Sequence, residues 1–316
     1  MTTRSQYVWI DGKLVDFDQA TVPFLSRTLH YGAGVFEGIR CYATDQGPAV
    51  FRLKEHIDRL LDSAHILGLR NVPYSAEELR AAVKQTIAAN SFEECYIRPL
   101  IYFSTTEMGL NLDLGKVSVG IATWKWGSYL GEEALEKGVR VHVSSFTRHH
   151  LNAVMTKAKI TGNYPNSMLA KTDALRLGFD EAIMLDPQGY VAECTGENLF
   201  IVRNNKIITP PMAPVLEGIT RDALIKIAQD LGYEVVEAQI SRDQLYIADE
   251  AFVCGTAAEC VAICEIDFRT IGSGRMGPVV RQLQKAYQDA VHGRHPRSAE
   301  WCDLVTVTQP AQVSAD

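Results

Sequence analysis

A break in patterning between residues 126 and 137 limits the fold of this chain more than any other feature. That stretch holds Gly127, Gly131 and a Glu-rich turn, and it reads as a connector. The chain has 316 residues, enough for two modest cores. The expected division is a small α/β domain over 1–125, the connector over 126–137, and a larger domain over 138–316. A polar tail is expected after His295.

Before the break, strand and helix signals each come in groups. Residues 7–15 read as a hairpin, because Asp11-Gly12 separates two β-prone runs. Strands are also expected at 35–43, 49–52, 96–104 and 117–124. Leu53, Ile57, Leu60, Leu61, Ala64 and Leu67 recur at helical spacing and stop at Gly68. Ser75 and Glu78 form a capping box for a second helix. After the break the style changes. Gly138 to Phe146 alternates as a strand. Further strands are expected at 181–185, 198–202, 206–209, 234–239, 250–254 and 260–266. Helices are expected at 164–177, 220–231, 241–248 and 277–292. Their punctuation is Thr220 and Ser241 as N-caps, Pro278 in a first turn, and Gly178, Gly232 and Gly293 as stops. The whole reads as α+β, with mixed α/β character.

Composition removes several classes of function. The formal net charge of -7 argues against a nucleic-acid surface, which needs clustered Lys and Arg. No apolar run approaches the roughly 18 residues that span a bilayer. Residues 1–8 are polar and read as no signal peptide. Seven cysteines at irregular positions give no disulfide framework, and no His stands at metal-ligand spacing from Cys260 and Cys264. Free thiols and no metal are therefore expected, in a reducing cytoplasm.

One motif misleads. Gly272-Ser-Gly274-Arg-Met-Gly277 matches the dinucleotide fingerprint. That fingerprint needs a βαβ unit and an acidic residue after the next strand, and only a helix and a polar tail follow here. A glycine turn is the better reading.

The informative segment is Thr156-Lys-Ala-Lys159-Ile-Thr-Gly162-Asn163-Tyr164. Lys157 and Lys159 lie two apart in a strand-like stretch, so spacing leaves either as a nucleophile and both as a solvated edge. Five further runs stand in order along the chain. They are Tyr31-Gly-x-Gly-Val-Phe36-Glu-Gly38-Ile-Arg40, Tyr96-Ile-Arg98-Pro, Glu193-Cys-Thr-Gly196-Glu-Asn198, and the pair Gly218-Ile219-Thr220-Arg221 and Gly255-Thr256-Ala257. Together with Lys-x-x-Gly-Asn-Tyr, these resemble the branched-chain aminotransferases, fold-type IV pyridoxal-phosphate enzymes. The resemblance runs from about residue 7 to residue 290.

That resemblance implies a two-domain fold, with a small α/β domain and a larger, β-barrel-like α/β domain. It implies pyridoxal 5'-phosphate held covalently by Lys159, whose amine then moves the substrate Cα proton. Lys157 is left as a solvated edge residue. Glu193 is implied at the pyridine nitrogen and Tyr164 at the phenolic oxygen. Arg59, Ile219, Thr220 and Thr256 are implied at the phosphate, with Gly196, Asn198, Leu216, Gly218 and Gly255 completing the shell. The α-carboxylate of the substrate is implied at the Tyr96 hydroxyl and the N–H groups of Thr256 and Ala257. Phe36, Gly38, Arg40, Trp126, Tyr129 and Tyr164 line the substrate region. Arg98 is implied at the glutamate γ-carboxylate, with Tyr31 and Tyr129 helping. Tyr31 and the loop around Met108 are implied to complete a neighbouring subunit's pocket, so at least a homodimer is expected, and the family also forms hexamers. The reaction implied is transfer of the amino group of leucine, isoleucine or valine to 2-oxoglutarate. Amino acids and 2-oxo acids are then the partners, with no nucleic acid and no membrane.

Two relatives of the same fold share the lysine and glutamate motifs, D-amino-acid aminotransferase and aminodeoxychorismate lyase. Tyr96-x-Arg98, the Phe36–Arg40 run and Trp126 favour the branched-chain reading. Intact Lys159, Glu193 and Tyr164 argue against a non-catalytic protein that kept the fold.

Overall fold

Asp11 and Gly12 both adopt positive φ, 45° and 91°, as a tight hairpin turn requires. They join strands Tyr7–Ile10 and Lys13–Asp16 at one end of the first sheet. The computed structural model describes residues 3–127 and 129–305. Among these, the chain forms two compact units. The first runs to Trp126, takes back Ala158–Gly162 and resumes at Ala290; the second is Gly127–Lys157 and Asn163–Asp289.

The first unit holds a nine-stranded sheet. Its main path runs Cys302–Leu304, Gly47–Phe51, Ile39–Thr44, Cys95–Phe103, Val117–Lys125, Tyr7–Ile10, Lys13–Asp16. The long central pair keeps register from Tyr96 opposite Trp124 to Phe103 opposite Val117. Helix Leu53–Leu67 buries Leu53, Ile57, Leu60 and Ala64, and helix Ala76–Ala89 buries Leu79, Ala82, Val83 and Ile87, in one core with the strands. Each large apolar side chain of this kind contributes roughly 1.5–3 kcal/mol on burial. The Ser75–Glu78 capping box is formed, and Gly68 closes the first helix in the left-handed conformation.

The second unit holds another nine-stranded sheet. Its main path runs Val191–Cys194, Glu181–Leu185, Val139–Val143, Glu259–Ile266, Glu250–Gly255, Asn198–Arg203, Lys206–Thr209, Glu234–Glu237. Three of its pairings are parallel and the rest antiparallel. Most of its strands are buried on both faces, which is why they read as continuous apolar runs. Helices Tyr164–Arg176 and Ile219–Asp230 belong to this unit. The mixed α/β class expected from the pattern is the one observed.

Several local expectations need correction. Thr220 is not an N-cap: the helix begins one residue earlier, at Ile219, with Gly218 as its cap. The connector contains a short helix, Glu132–Lys137. Residues 156–159 form a turn, a bend and irregular chain, not a strand. The expected polar tail begins with helix Ser298–Trp301 and strand Cys302–Leu304, and the latter pairs antiparallel with Gly47–Phe51. Trp301 is only 1% exposed and packs edge-on against Phe51 at 5.8 Å. One large buried aromatic outweighs the polarity of its neighbours. The last eleven residues of that tail, 306–316, lie outside the described ones.

Candidate functional site

Lys159 sits in the first unit, pinned through its backbone. Its N–H donates to Ser63 Oγ at 3.0 Å, and its carbonyl accepts from Phe36 N at 3.1 Å. Ile160 bridges to Val35. A strand was expected to supply rigidity here; these cross-links supply it instead. The half-buried Lys159 ammonium lies 5.1 Å from the centre of the Phe36 ring.

Helix Leu53–Leu67 places His56 and Arg59 on one face, and both meet Glu37. Arg59 grips its carboxylate as a fork, with Nε to Oε1 at 2.6 Å and the second nitrogen to Oε2 at 2.9 Å. His56 Nδ1 lies 2.8 Å from Oε2, and Gly38 N donates to it at 3.2 Å. Burial alone would raise the Glu37 pKa, but the charges and hydrogen bonds of Arg59 and His56 hold it well below the usual carboxylate range. Burial pushes the His56 pKa down, against the pull of Glu37.

Beside this cluster the central strands build an aromatic box. Tyr96 and Arg98 share a face of strand Cys95–Phe103. Tyr96 packs on Trp124 at 5.0 Å and on Trp126 at 4.7 Å. The Arg98 guanidinium stands 4.6 Å from the Phe36 ring centre and 5.4 Å from that of Tyr96. Among the described residues, its one side-chain hydrogen bond is a long one, 3.4 Å to the Tyr96 hydroxyl, and its Nε is shielded without a partner. Among the described residues, no carboxylate lies within ion-pair distance of it. Gly38 is a glycine for a plain reason: a Cβ there would sit 1.9 Å from the Tyr96 hydroxyl oxygen. Arg40, half-buried, lies opposite Tyr96 in register.

Tyr31 and Met108 are exposed, at 48% and 43%. Both belong to segments stitched together by buried Arg27, which donates to the carbonyls of Asn111 and Leu114 and lies 3.8 Å over Phe103.

The second unit carries a separate constellation. Glu193, 6% exposed, pairs with Arg148 at 2.7 Å. Its other oxygen accepts from Leu216 N at 3.2 Å and from Asn198 Nδ2 at 3.4 Å. Asn198 also reaches Leu216 O at 3.2 Å, so strand Asn198–Arg203 and the loop before helix Ile219–Asp230 are tied to one carboxylate. A Cβ on Gly218 would lie 1.9 Å from Asn198 Oδ1, which excludes any larger residue. The helix then starts with no side-chain cap, and its first N–H groups suit an anion. Gly255 backs onto the Gly196 carbonyl, and Thr256 and Ala257 form the turn that follows. Tyr164 opens helix Tyr164–Arg176, and Lys171 of that helix stands 5.2 Å over the Tyr129 ring.

Lys157 belongs to this second unit, where its ammonium donates to the carbonyls of Met212 and Val215. The fingerprint-like Gly272–Gly277 run leads into helix Pro278–Val291, whose first N–H groups are taken by Glu250: Val279 N at 3.1 Å and Val280 N at 2.9 Å. A protein carboxylate stands where a phosphate would need to bind.

The model of the family described as amino-transferase class IV matches residues 34–266. The branched-chain-amino-acid aminotransferase of Pseudomonas aeruginosa is 52% identical over 305 residues, 96% of this chain and 99% of that protein. This chain belongs to the branched-chain aminotransferases of class IV. Among solved structures, the branched-chain amino acid aminotransferase of Escherichia coli superposes with a TM-score of 0.93 at 44% identity, covering 96% of this chain and 100% of that one. A T.th. branched-chain amino acid aminotransferase with pyridoxamine 5'-phosphate gives a TM-score of 0.92 at 47% identity, again over 96% of this chain and 100% of that one.

As a branched-chain aminotransferase the chain carries two groups that the motif reading passed over. Glu37 lies inside the Tyr31–Arg40 motif, where the resemblance assigns roles to its neighbours Phe36 and Gly38 and none to it. Arg148 had no motif at all, and only folding brings it to Glu193.

Proposed function

We propose that this aminotransferase takes the amino group from leucine, isoleucine or valine and passes it to 2-oxoglutarate, in two alternating half-reactions on bound pyridoxal 5'-phosphate. The cofactor supplies an electron sink for the pair left when the Cα proton departs. Residues of both units suit it. Lys159 is the amine for its attachment and the base for the Cα proton. Glu193, paired with Arg148, suits the pyridine N–H. The uncapped start of helix Ile219–Asp230, with Thr220 and with Arg59 of the first unit, suits the phosphate. Tyr164 suits the phenolic oxygen.

For substrate, the Tyr96 hydroxyl and the N–H groups of Thr256 and Ala257 are assigned to the α-carboxylate. Phe36, Trp126 and Tyr129 are assigned to the side chain, with Gly38 keeping room for Tyr96 and Arg40 behind it. A second subunit is assigned the completion of the site through Tyr31 and Met108. In support, the segments stitched by Arg27 also expose Phe24 (81%), Leu29 (62%) and Leu110 (83%), more apolar surface than a lone protomer gains from leaving wet.

The observation that carries 2-oxoglutarate as acceptor is Arg98. A guanidinium among three aromatic rings, with one 3.4 Å hydrogen bond, suits a side chain that is apolar in one half-reaction and anionic in the other. Its rings serve leucine; its unused N–H groups serve the γ-carboxylate. Arg98→Met is expected to lower kcat/KM for 2-oxoglutarate at least about a hundredfold more than for L-leucine, since a lost charged pair costs about 2–5 kcal/mol. Each half-reaction is followed separately by the cofactor's absorbance. Equal losses for both substrates would place Arg98 at the shared α-carboxylate and defeat the assignment.

A further inference from the structure

Glu37 is fully buried, yet four donors converge on its carboxylate: two from Arg59, one from His56, one from Gly38 N. Burying an ion pair is costly, and an apolar trio of the same volume would hold helix Leu53–Leu67 to the sheet at least as well. What the ion pair offers instead is a fixed direction. Arg59 sits on a stem of freely rotating bonds; with its Nε and one terminal nitrogen engaged, the plane of its guanidinium is set. The Glu37 carboxylate and the Arg59 guanidinium sum to zero charge. Such a cluster attracts an anion through oriented N–H groups more than through net field.

We propose that Glu37 and His56 are positioning residues for the cofactor phosphate, acting through Arg59. The inference rests on the reading of Arg59 as a phosphate ligand. The same carboxylate also holds the Phe36–Gly38 segment, through Gly38 N, and that segment is bonded to the Lys159 backbone through Phe36 N. One buried acid therefore sets both the phosphate arginine and the segment that braces the lysine.

A glutamine at this place would offer a single acceptor oxygen and point an NH2 group at other donors. Loss of the fork then outweighs the gain of one unneutralised positive charge. Loss of such outer partners costs metal ligands about 10–100-fold in affinity, and a similar factor is expected here. The test measures dissociation constants of the full-length protein for pyridoxal 5'-phosphate and for pyridoxal, which lacks the phosphate. Glu37→Gln is expected to weaken the phosphorylated form at least about tenfold and to leave pyridoxal within about twofold. His56→Leu should do the same more mildly, and His56→Asn, whose amide can replace the Nδ1 donor, should restore affinity. These two variants carry the test should Glu37→Gln fail to fold.

Equal weakening of both ligands would reduce the cluster to a structural role and overturn the inference. So would unchanged or tighter binding of the phosphorylated form. Arg59→Met separates this from the underlying reading. If it too leaves the preference for the phosphorylated form intact, Arg59 is not a phosphate ligand and both proposals fall. If it abolishes the preference while the Glu37 and His56 variants do not, only the positioning role falls.

Discussion

Lys157 and Lys159 differ by two positions and by everything around them. Lys157 is tied to the carbonyls of Met212 and Val215, and burial lowers its pKa. Lys159 has its backbone fixed on both sides and its amine over Phe36. Borohydride reduction of the holoenzyme followed by peptide mapping should therefore place the cofactor on Lys159. Label on Lys157, or none, would contradict that. The sequence alone left the two lysines open, because a strand would have put both on one face. The segment proves to be irregular, with Lys157 in a turn and Lys159 beyond it, and irregular chain does not alternate. Glu37 and Arg148 were invisible for a different reason. Their chemistry lies in partners brought by the fold, Arg59 and His56 from a helix for the one, Glu193 from a strand for the other. A residue type at a spacing says nothing about such partners.

At the scale of elements, most helices and strands were legible wherever local signals agreed. The Ser75–Glu78 box, the Asp11-Gly12 turn and the apolar spacing from Leu53 all correspond to observed structure. The misses share a cause. Helix Ile219–Asp230 starts at a glycine, and strand Cys302–Leu304 is short and half polar; both owe their form to neighbours distant in sequence. Helix Pro278–Val291 is the instructive contrast, since a remote carboxylate caps it. Glu250→Ala should lower Tm by an amount equivalent to about 0.5–2 kcal/mol, the usual worth of an N-cap. Glu250→Gln, which keeps an acceptor, should lose less. Thermal melts of the two variants give the comparison, and a Tm unchanged in Glu250→Ala would show that the helix needs no cap.

For the whole molecule, the two-part organisation was expected from one break in patterning, but a break marks a single crossing. The chain in fact returns to its first unit at Ala158–Gly162 and again at Ala290. Short insertions of that kind carry no compositional mark. The proposed second subunit is also a property at this scale. Sedimentation at assay concentration should find at least a dimer, with Tyr31 and the Met108 loop at the contact. A fully active monomer would refute it.

Strand Cys302–Leu304, hydrogen-bonded along Gly47–Phe51 and anchored by Trp301, has a consequence for how the polypeptide is made. Synthesis delivers the amino end first, and domains tend to fold in that order at about 5–20 residues per second. Here the earlier unit must wait. Its sheet lacks an edge strand until Cys302–Leu304 has been made, and it lacks the lysine segment until the other unit has begun to emerge. The later unit, uninterrupted from Asn163 to Asp289, can close first on the ribosome, while the nascent first sheet keeps Gly47–Phe51 open as an unpaired edge to which chaperones and sister chains have access.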